Sequence, residues 1–348
     1  MELLQTGCTA EALMSDNLVK TGRIVTVFGG SGFIGRHVVR ALARDGWRIR
    51  VATRRPDLAF HLQPLGRVGQ IHAVQANVRY PASIAAALKG AEAVVNLVSV
   101  LNERGRQNFE TLNAFGSRAV AKAAADAGIT NVVHMSAIGA DLNSDSAYAR
   151  TKAEGERSVL MAVPSAIVLR PSIVFGPEDS FFNRFAAIAR MSPMLPLIGG
   201  GETKFQPVYV GDVAEAVARA LNGYARAGTT YELGGPEVKT FRELMQYICD
   251  VTGRKRFLAP LPNEIANVVA LGTEIADKLS LGLFPDTLLL TRDQIKLLGR
   301  DNVVSADAQA QSRTLDGLCI LPEAMESIVP KYLARFRKAG QFSDHKLA

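Results

Sequence analysis

Residues 24–46 read IVTVFGGSGFIGRHVVRALARDG. The first five are a β-branched apolar run, the pattern of a buried strand. Gly29, Gly32 and Gly35 follow at GxxGxxG spacing. Past them Ile34, Val38, Val39, Ala41 and Leu42 recur at helical spacing, and Gly46 closes the helix. Strand, glycine turn and amphipathic helix together make an anion site. Glycines let backbone N–H groups approach a pyrophosphate, and the helix N-terminus adds partial positive charge. A ligand-free tight turn uses the same glycines, so the flanking elements carry the weight.

Working outward, strand-like runs at 48–54, 71–75, 93–100, 132–136 and 166–175 alternate with helical patterns at 81–89, 108–127 and from about 147. That alternation predicts βαβ units and an α/β fold with a doubly wound parallel sheet. After Phe175 the text changes. Helices are expected at 181–190 and 212–222, a Pro/Gly-rich stretch at 191–201, and strands near 206–210 and 230–235. From 240 onward the chain reads as helices and loops without a strong strand. The division expected is an extension at 1–22, a dinucleotide-binding domain at 23–176 that 230–235 rejoins, and a smaller, mostly helical region at 177–348. Residues 1–22 lack the apolar core of a signal peptide, and Met14 offers a more natural start than Met1.

The 348 residues are 48% hydrophobic and 21% charged, which excludes disordered, collagenous and coiled-coil classes. No stretch approaches the ~20 apolar residues of a membrane span. The formal charge of +7 suits acidic partners or serves solubility alone. Nucleic acid is not expected, because no basic run is interleaved with aromatics. Cys8, Cys249 and Cys319, odd in number and far apart, suggest neither a metal knuckle nor a disulfide framework, and the five histidines have no metal spacing.

Two further motifs carry chemistry. The second strand ends Ala52-Thr53-Arg54-Arg55, with no acid before Asp57. An acid there would bind the ribose 2′-OH of NAD. Arg54 and Arg55 can instead grip a 2′-phosphate, which favours NADPH/NADP; as solvated surface arginines they would do neither. Arg36 is a second candidate for the same phosphate. Tyr148 and Lys152 form YxxxK on one helix face. A nearby ammonium would lower the phenol's pKa and let it act as acid or base. The alternative is a surface Tyr lying along a Lys stem.

VFGGSGFIGRH (27–37), SAIGAD (136–141), YARTK (148–152), LRPSIVFGPED (169–179) and QPVYVGDVA (206–214) resemble the short-chain dehydrogenase/reductase superfamily, in its extended and atypical branches. The resemblance implies a Rossmann fold. It implies cofactor contacts from Gly29, Ser31, Gly32, Phe33, Ile34, Gly35 and Arg36 at the glycine turn, and from Asn77 and Val78 at the adenine. Leu97 and Val98 would line the cofactor, with Tyr148, Lys152, Pro171 and Ile173 near the nicotinamide. Thr53 stands where NAD-using members carry their acid. Catalysis would use Tyr148, Lys152 and a Ser or Thr after the fifth strand. Here the run is His134-Met135-Ser136-Ala137, and the catalytic position falls on Ser136 or, one residue on, on Ala137.

LTRDQIKLLGRDNVVS (290–305) and SIVPKYLARFRKAG (327–340) are similar to the nucleotide-binding accessory subunits of respiratory complex I (NADH:ubiquinone oxidoreductase). That similarity implies a tightly held nucleotide serving assembly or stability. The implied partners are peripheral-arm subunits and anionic lipid, at the inner face of the cytoplasmic membrane. The competing expectation is a soluble NADPH-dependent reductase or epimerase acting on a small carbonyl or nucleotide sugar. Whether the chain is an enzyme stays open between the two.

Overall fold

The computed structural model describes residues 22–103, 105, 107–279, 290–338 and 340. Seven parallel strands form the main sheet. They are β1 (Ile24–Phe28), β2 (Arg48–Thr53), β3 (Ile71–Gln75), β4 (Ala93–Asn96), β5 (Asn131–Met135), β6 (Ile167–Pro171) and, at the edge beside β6, Thr230–Leu233. The spatial order, edge to edge, is Thr230–Leu233, β6, β5, β4, β1, β2, β3. The chain therefore reverses direction across the sheet between β1 and β4. In such sheets a ligand binds beyond the carboxyl ends of the strands at that reversal.

Both faces of the sheet are covered. Val38, Val39 and Leu42 of helix Phe33–Arg44 pack with Val213 and Val217 of helix Val210–Leu221 on one face. Ile84, Val120, Ala124 and Val159 pack on the other, from helices Pro81–Leu88, Phe115–Asp126 and Ala147–Ala162. These side chains are all under 2% exposed, and each such burial stabilises by roughly 1.5–3 kcal/mol for the larger aliphatics. A third, aromatic core holds the C-terminal region together. Phe175, Phe182, Phe185, Phe205 and Phe241 meet there, with Met325, Val329 and Phe336 from the end of the chain.

The structure corrects several boundaries. The fourth strand stops at Asn96 rather than 100, because Val98 N–H is taken by the Asn96 side chain at 3.2 Å. The expected helix 108–127 opens with a π-turn at Glu110–Ala114. The strand expected at 166–175 is two pieces, β6 and Val174–Phe175. The Pro/Gly-rich stretch contains a strand, Met194–Ile198, and a further strand, Phe257–Leu261, pairs with it in parallel. Pro196 and Pro260 hid both, since proline lacks the ladder donor and survives only where that side is unpaired. A two-stranded sheet leaves such a side on each strand. The cysteine expectation also changes: Cys249 is free and buried, but Cys319 is disulfide-bonded. An odd count still leaves room for a pair. The segments 1–21, 281–289 and 341–348 lie outside the described residues. Among the described residues no helix is long and apolar enough to cross a membrane.

Asp212 sits in the first turn of Val210–Leu221, where the helix dipole should favour its charge. Burial wins and pushes its carboxyl up to about 6, although the carboxylate accepts the Glu323 N–H at 2.8 Å. The folded chain thus holds a proton that the unfolded chain releases near pH 4. The associated stability is complete below pH 4 and is lost as pH rises through about 6. Asp212→Asn keeps the acceptor without the charge. It should raise stability at pH 8 by about 1–2 kcal/mol and flatten the pH 4–6 slope. Denaturant titrations at several pH values check this, and an unchanged slope would refute it.

Candidate functional site

The glycine turn joins β1 to helix Phe33–Arg44. Gly29 has φ +79°, a left-handed conformation that favours glycine. A Cβ on it would lie 3.1 Å from the Leu97 carbonyl carbon and 3.2 Å from Val98 N, so the turn abuts the end of β4. A Cβ on Gly35 would lie 2.3 Å from the Gly29 carbonyl oxygen, so the helix can pack on the turn only through glycine. Gly32 is the helix N-cap. It offers no side-chain acceptor, and the first turn holds no acid. The N–H groups there are left for an external anion, and the residues fit a dinucleotide pyrophosphate. Ser31, Phe33 and Ile34 are half-buried around this turn.

At the end of β2 the two arginines differ. Arg55 grips Asp57 two residues on, with Nη2 to Oδ2 at 2.7 Å. Arg54 is exposed and has no carboxylate partner among the described residues. Arg36 turns away, pairing with Glu178 at 3.1 Å while its Nε is buried without a hydrogen bond. The Asn77 side chain accepts the Arg79 N–H at 3.1 Å, and Val78 is buried against Gly116. Leu97 and Val98 flank the glycine turn; Pro171 is buried at the end of β6 and Ile173 half-buried beyond it.

Tyr148 and Lys152 share the helix Ala147–Ala162 but do not form an activated pair. Burial pushes the Tyr148 phenol up to about 12, the Asp293 carboxylate adds to this, and a hydrogen bond with Ser99 offsets part of it. The Phe109 ring meets Tyr148 edge-on at 5.8 Å. Lys152 is fully buried and donates to the Met135 carbonyl at 2.7 Å. Burial lowers its pKa to about 8, against the pull of Glu156. The expected depression of the phenol by a neighbouring ammonium is not seen: burial leads, and the Lys152 ammonium is engaged with the Met135 carbonyl instead. Beneath the pair, Asn96 Nδ2 approaches His134 Nδ1 at 3.3 Å and Ser117 Oγ at 3.4 Å. Burial, then the Lys152 charge, holds His134 near 3, so the imidazole is neutral. Ser136 is buried, and its Oγ has no hydrogen-bond partner among the described residues. An orphaned hydroxyl at the end of β5 is a ready donor to a ligand there.

Several residues at the site were not singled out from sequence. Asn113, in the π-turn, accepts from Ser99 Oγ at 3.1 Å and donates to Thr151 Oγ1 at 3.4 Å. Asp293 accepts from Ser146 Oγ at 2.8 Å, Ala147 N–H at 2.7 Å and Tyr148 N–H at 3.3 Å. It thereby caps the helix that carries Tyr148. Its neighbours form a strap over the carboxyl edge of the sheet. Gln294 donates to Asn102 beyond β4 at 2.7 Å. Asn302 Nδ2 donates to the Ile138 carbonyl beyond β5 at 3.3 Å, and its Oδ1 accepts from Ser172 beyond β6 at 2.6 Å. The sequence signal was present: Thr291 and Gln294 form a capping box that marks the start of helix Arg292–Leu298.

Fold and site together define a dinucleotide-binding protein of the short-chain dehydrogenase type. The model of the NAD dependent epimerase/dehydratase family matches residues 25–234, and the chain belongs to that family. It is 35% identical over 324 residues to NADH dehydrogenase (ubiquinone) 1 alpha subcomplex subunit 9, mitochondrial, of Arabidopsis thaliana, covering 92% of this chain and 79% of that protein. It is 32% identical over 244 residues to a ceramide reductase of Caulobacter vibrioides, covering 69% of this chain and 74% of that one. Among solved structures, the crystal structure of gox2253 superposes with TM-score 0.66 at 25% identity, over 92% of this chain and 99% of that one.

Two outcomes follow from this geometry. Gly35→Ala should displace the turn and reduce dinucleotide affinity at least tenfold, read by titration of protein fluorescence; unchanged affinity would contradict the packing described. Asp293→Ala removes one acceptor from three donors and should cost about 1–2 kcal/mol. Limited proteolysis should then cut within 290–304 faster than in the native chain, and equal cutting rates would contradict a strap held by Asp293.

Proposed function

We infer that the chain is an NADP(H)-holding accessory subunit of respiratory complex I, in which the nucleotide serves assembly or stability rather than turnover. The observation that carries this reading is the strap. Asp293, Gln294 and Asn302 bond the loops beyond β4, β5 and β6, where an extended reductase admits its substrate. The likeness to the plant mitochondrial subunit over most of the chain supports the same reading. In it, Gly29, Ser31, Gly32, Phe33, Ile34 and Gly35 hold the pyrophosphate, and Asn77 and Val78 the adenine side. Leu97, Val98, Pro171 and Ile173, with Tyr148 and Lys152, hold the nicotinamide end, and Ser136 donates from beneath it. Arg54 binds the 2′-phosphate beside Thr53; Arg55 joins only by sharing or releasing Asp57. The subunit contacts peripheral-arm subunits at the inner face of the cytoplasmic membrane.

A second reading has its own support. Tyr148 and Lys152 stand one helical turn apart, as an NADPH-dependent reductase requires, and the Caulobacter relative is named a ceramide reductase. Against it stand the phenol at about 12 and the Lys152 ammonium turned to a backbone carbonyl.

Nucleotide extracted from the purified chain separates the two. The subunit reading expects close to one NADP(H) per chain and slow exchange, both indifferent to Tyr148→Phe. Arg54→Gln should weaken NADPH by about tenfold or more while leaving NADH unchanged. Oxidation of NADPH by a lipid carbonyl or nucleotide sugar, abolished by Tyr148→Phe, would overturn the subunit reading in favour of the enzyme.

A further inference from the structure

The helix Arg292–Leu298 and the turn after it are joined to the loops beyond β4 and β5 by polar groups. Gln294 donates to Asn102 beyond β4 at 2.7 Å. Lys296 donates to the Asp145 carbonyl beyond β5 at 3.1 Å. Arg300 reaches the Asp145 carboxylate at 3.4 Å and Ser144 Oγ at 3.2 Å. Asp293 accepts the three donors at the start of the Ala147–Ala162 helix. Bonds of this kind exchange for bonds to water at small net cost, so they act as a latch. The buried residue of the helix, Ile295, packs with Ile198, Ala266 and Ala270, none of which belongs to the main sheet. The latch can therefore break while the cores on both faces of the sheet stay intact.

Past the helix the chain is fixed. Asn302 N–H donates to the Lys204 carbonyl at 2.8 Å, and its carbonyl accepts the Gln206 N–H at 3.1 Å. Val304 packs with Ile138 and Ala308. Gly299, the C-cap of the helix, stands between the latched part and the fixed part. Element-terminal positions of this kind absorb the backbone change of a hinge. Coverage of a bound dinucleotide is uneven. The latched loops neighbour Leu97, Val98, Tyr148 and Lys152, assigned above to the nicotinamide end. The bonds of the strap reach loops beyond β4, β5 and β6, while Arg54 at the end of β2 stands exposed. We propose that the helix Arg292–Leu298 is a gate for nucleotide exchange. The adenylate half docks and leaves on the open side, and latching of the helix traps the nicotinamide half. The proposal rests on the held nucleotide of the subunit reading and assigns its slow exchange to bonds made between protein groups.

Release rates from the purified full-length chain test it. NADPH is chased with excess NADP⁺ and followed by its own fluorescence. Adenosine 2′,5′-bisphosphate, the adenylate half alone, is chased with NADPH and followed by the same signal. The native chain should release NADPH slowly and the bisphosphate fast. Asp293→Ala should speed NADPH release by about tenfold, the loss of a charged acceptor, and Gln294→Ala by about threefold, the loss of a neutral bond. Gln294→Ala leaves the Asp293 cap in place, so the test survives if Asp293→Ala folds poorly. Neither variant should change release of the bisphosphate. NADPH release at the native rate from both variants would overturn the gate and leave the subunit reading standing. Equal acceleration of both ligands would also overturn it, since the whole site would then have loosened. Native release of NADPH as fast as that of the bisphosphate would do the same. A chain that binds no NADP(H) would remove both ideas. Accelerated NADPH release from the variants of a chain that never comigrates with complex I would keep the gate and remove the subunit reading.

Discussion

Three donors at the start of the Ala147–Ala162 helix converge on one carboxylate, that of Asp293, roughly 145 residues further along the chain. The first turn of any helix carries unpaired N–H groups and partial positive charge. Here both are met from the C-terminal region rather than by a local side chain alone. The same contact fixes the strap 291–304 over the sheet's carboxyl edge and raises the cost of ionising Tyr148. Separating the strap from the sheet would leave a half-buried carboxylate and three donors unpaired at once. The sheet's carboxyl edge and the C-terminal third are therefore coupled at this carboxylate, beside the Gln294 and Asn302 contacts.

The electrostatics around Tyr148 and Lys152 favour neutral groups. Three groups there are shifted toward their neutral forms: the phenol of Tyr148 upward, the amine of Lys152 and the imidazole of His134 downward. Burial is the leading cause in all three. A tyrosine working as acid or base near neutral pH needs the opposite balance, with a charged partner outweighing desolvation. The polar atoms are engaged with one another and with the backbone, Asn96 with His134, Asn113 with Thr151, Lys152 with Met135. Ser136 Oγ and His134 Nε2 are buried without a hydrogen-bond partner among the described residues.

Much of this was legible in the sequence. The strand, glycine turn and helix at 24–46 announced the sheet, because glycine spacing and apolar periodicity are local properties. The family resemblance correctly pointed to complex I subunits as relatives through 290–305. What stayed hidden depends on distance in space. Nothing local to Asp293 says that it caps a helix in the other half of the chain. Arg54 and Arg55 are equivalent in sequence, and only the Asp57 contact separates them. The strands Met194–Ile198 and Phe257–Leu261 each contain a proline, which reads as a turn until a two-stranded sheet supplies a free edge. The pKa of Tyr148 also could not be read from YARTK, since spacing gives neither the burial of the phenol nor the turn of Lys152 to the Met135 carbonyl.

Native-gel separation of mildly solubilised membranes, with mass spectrometry locating this chain, tests the central claim most directly. The account predicts comigration with the NADH:quinone oxidoreductase band. A chain found free of that band, in membranes where the complex is intact, would contradict it.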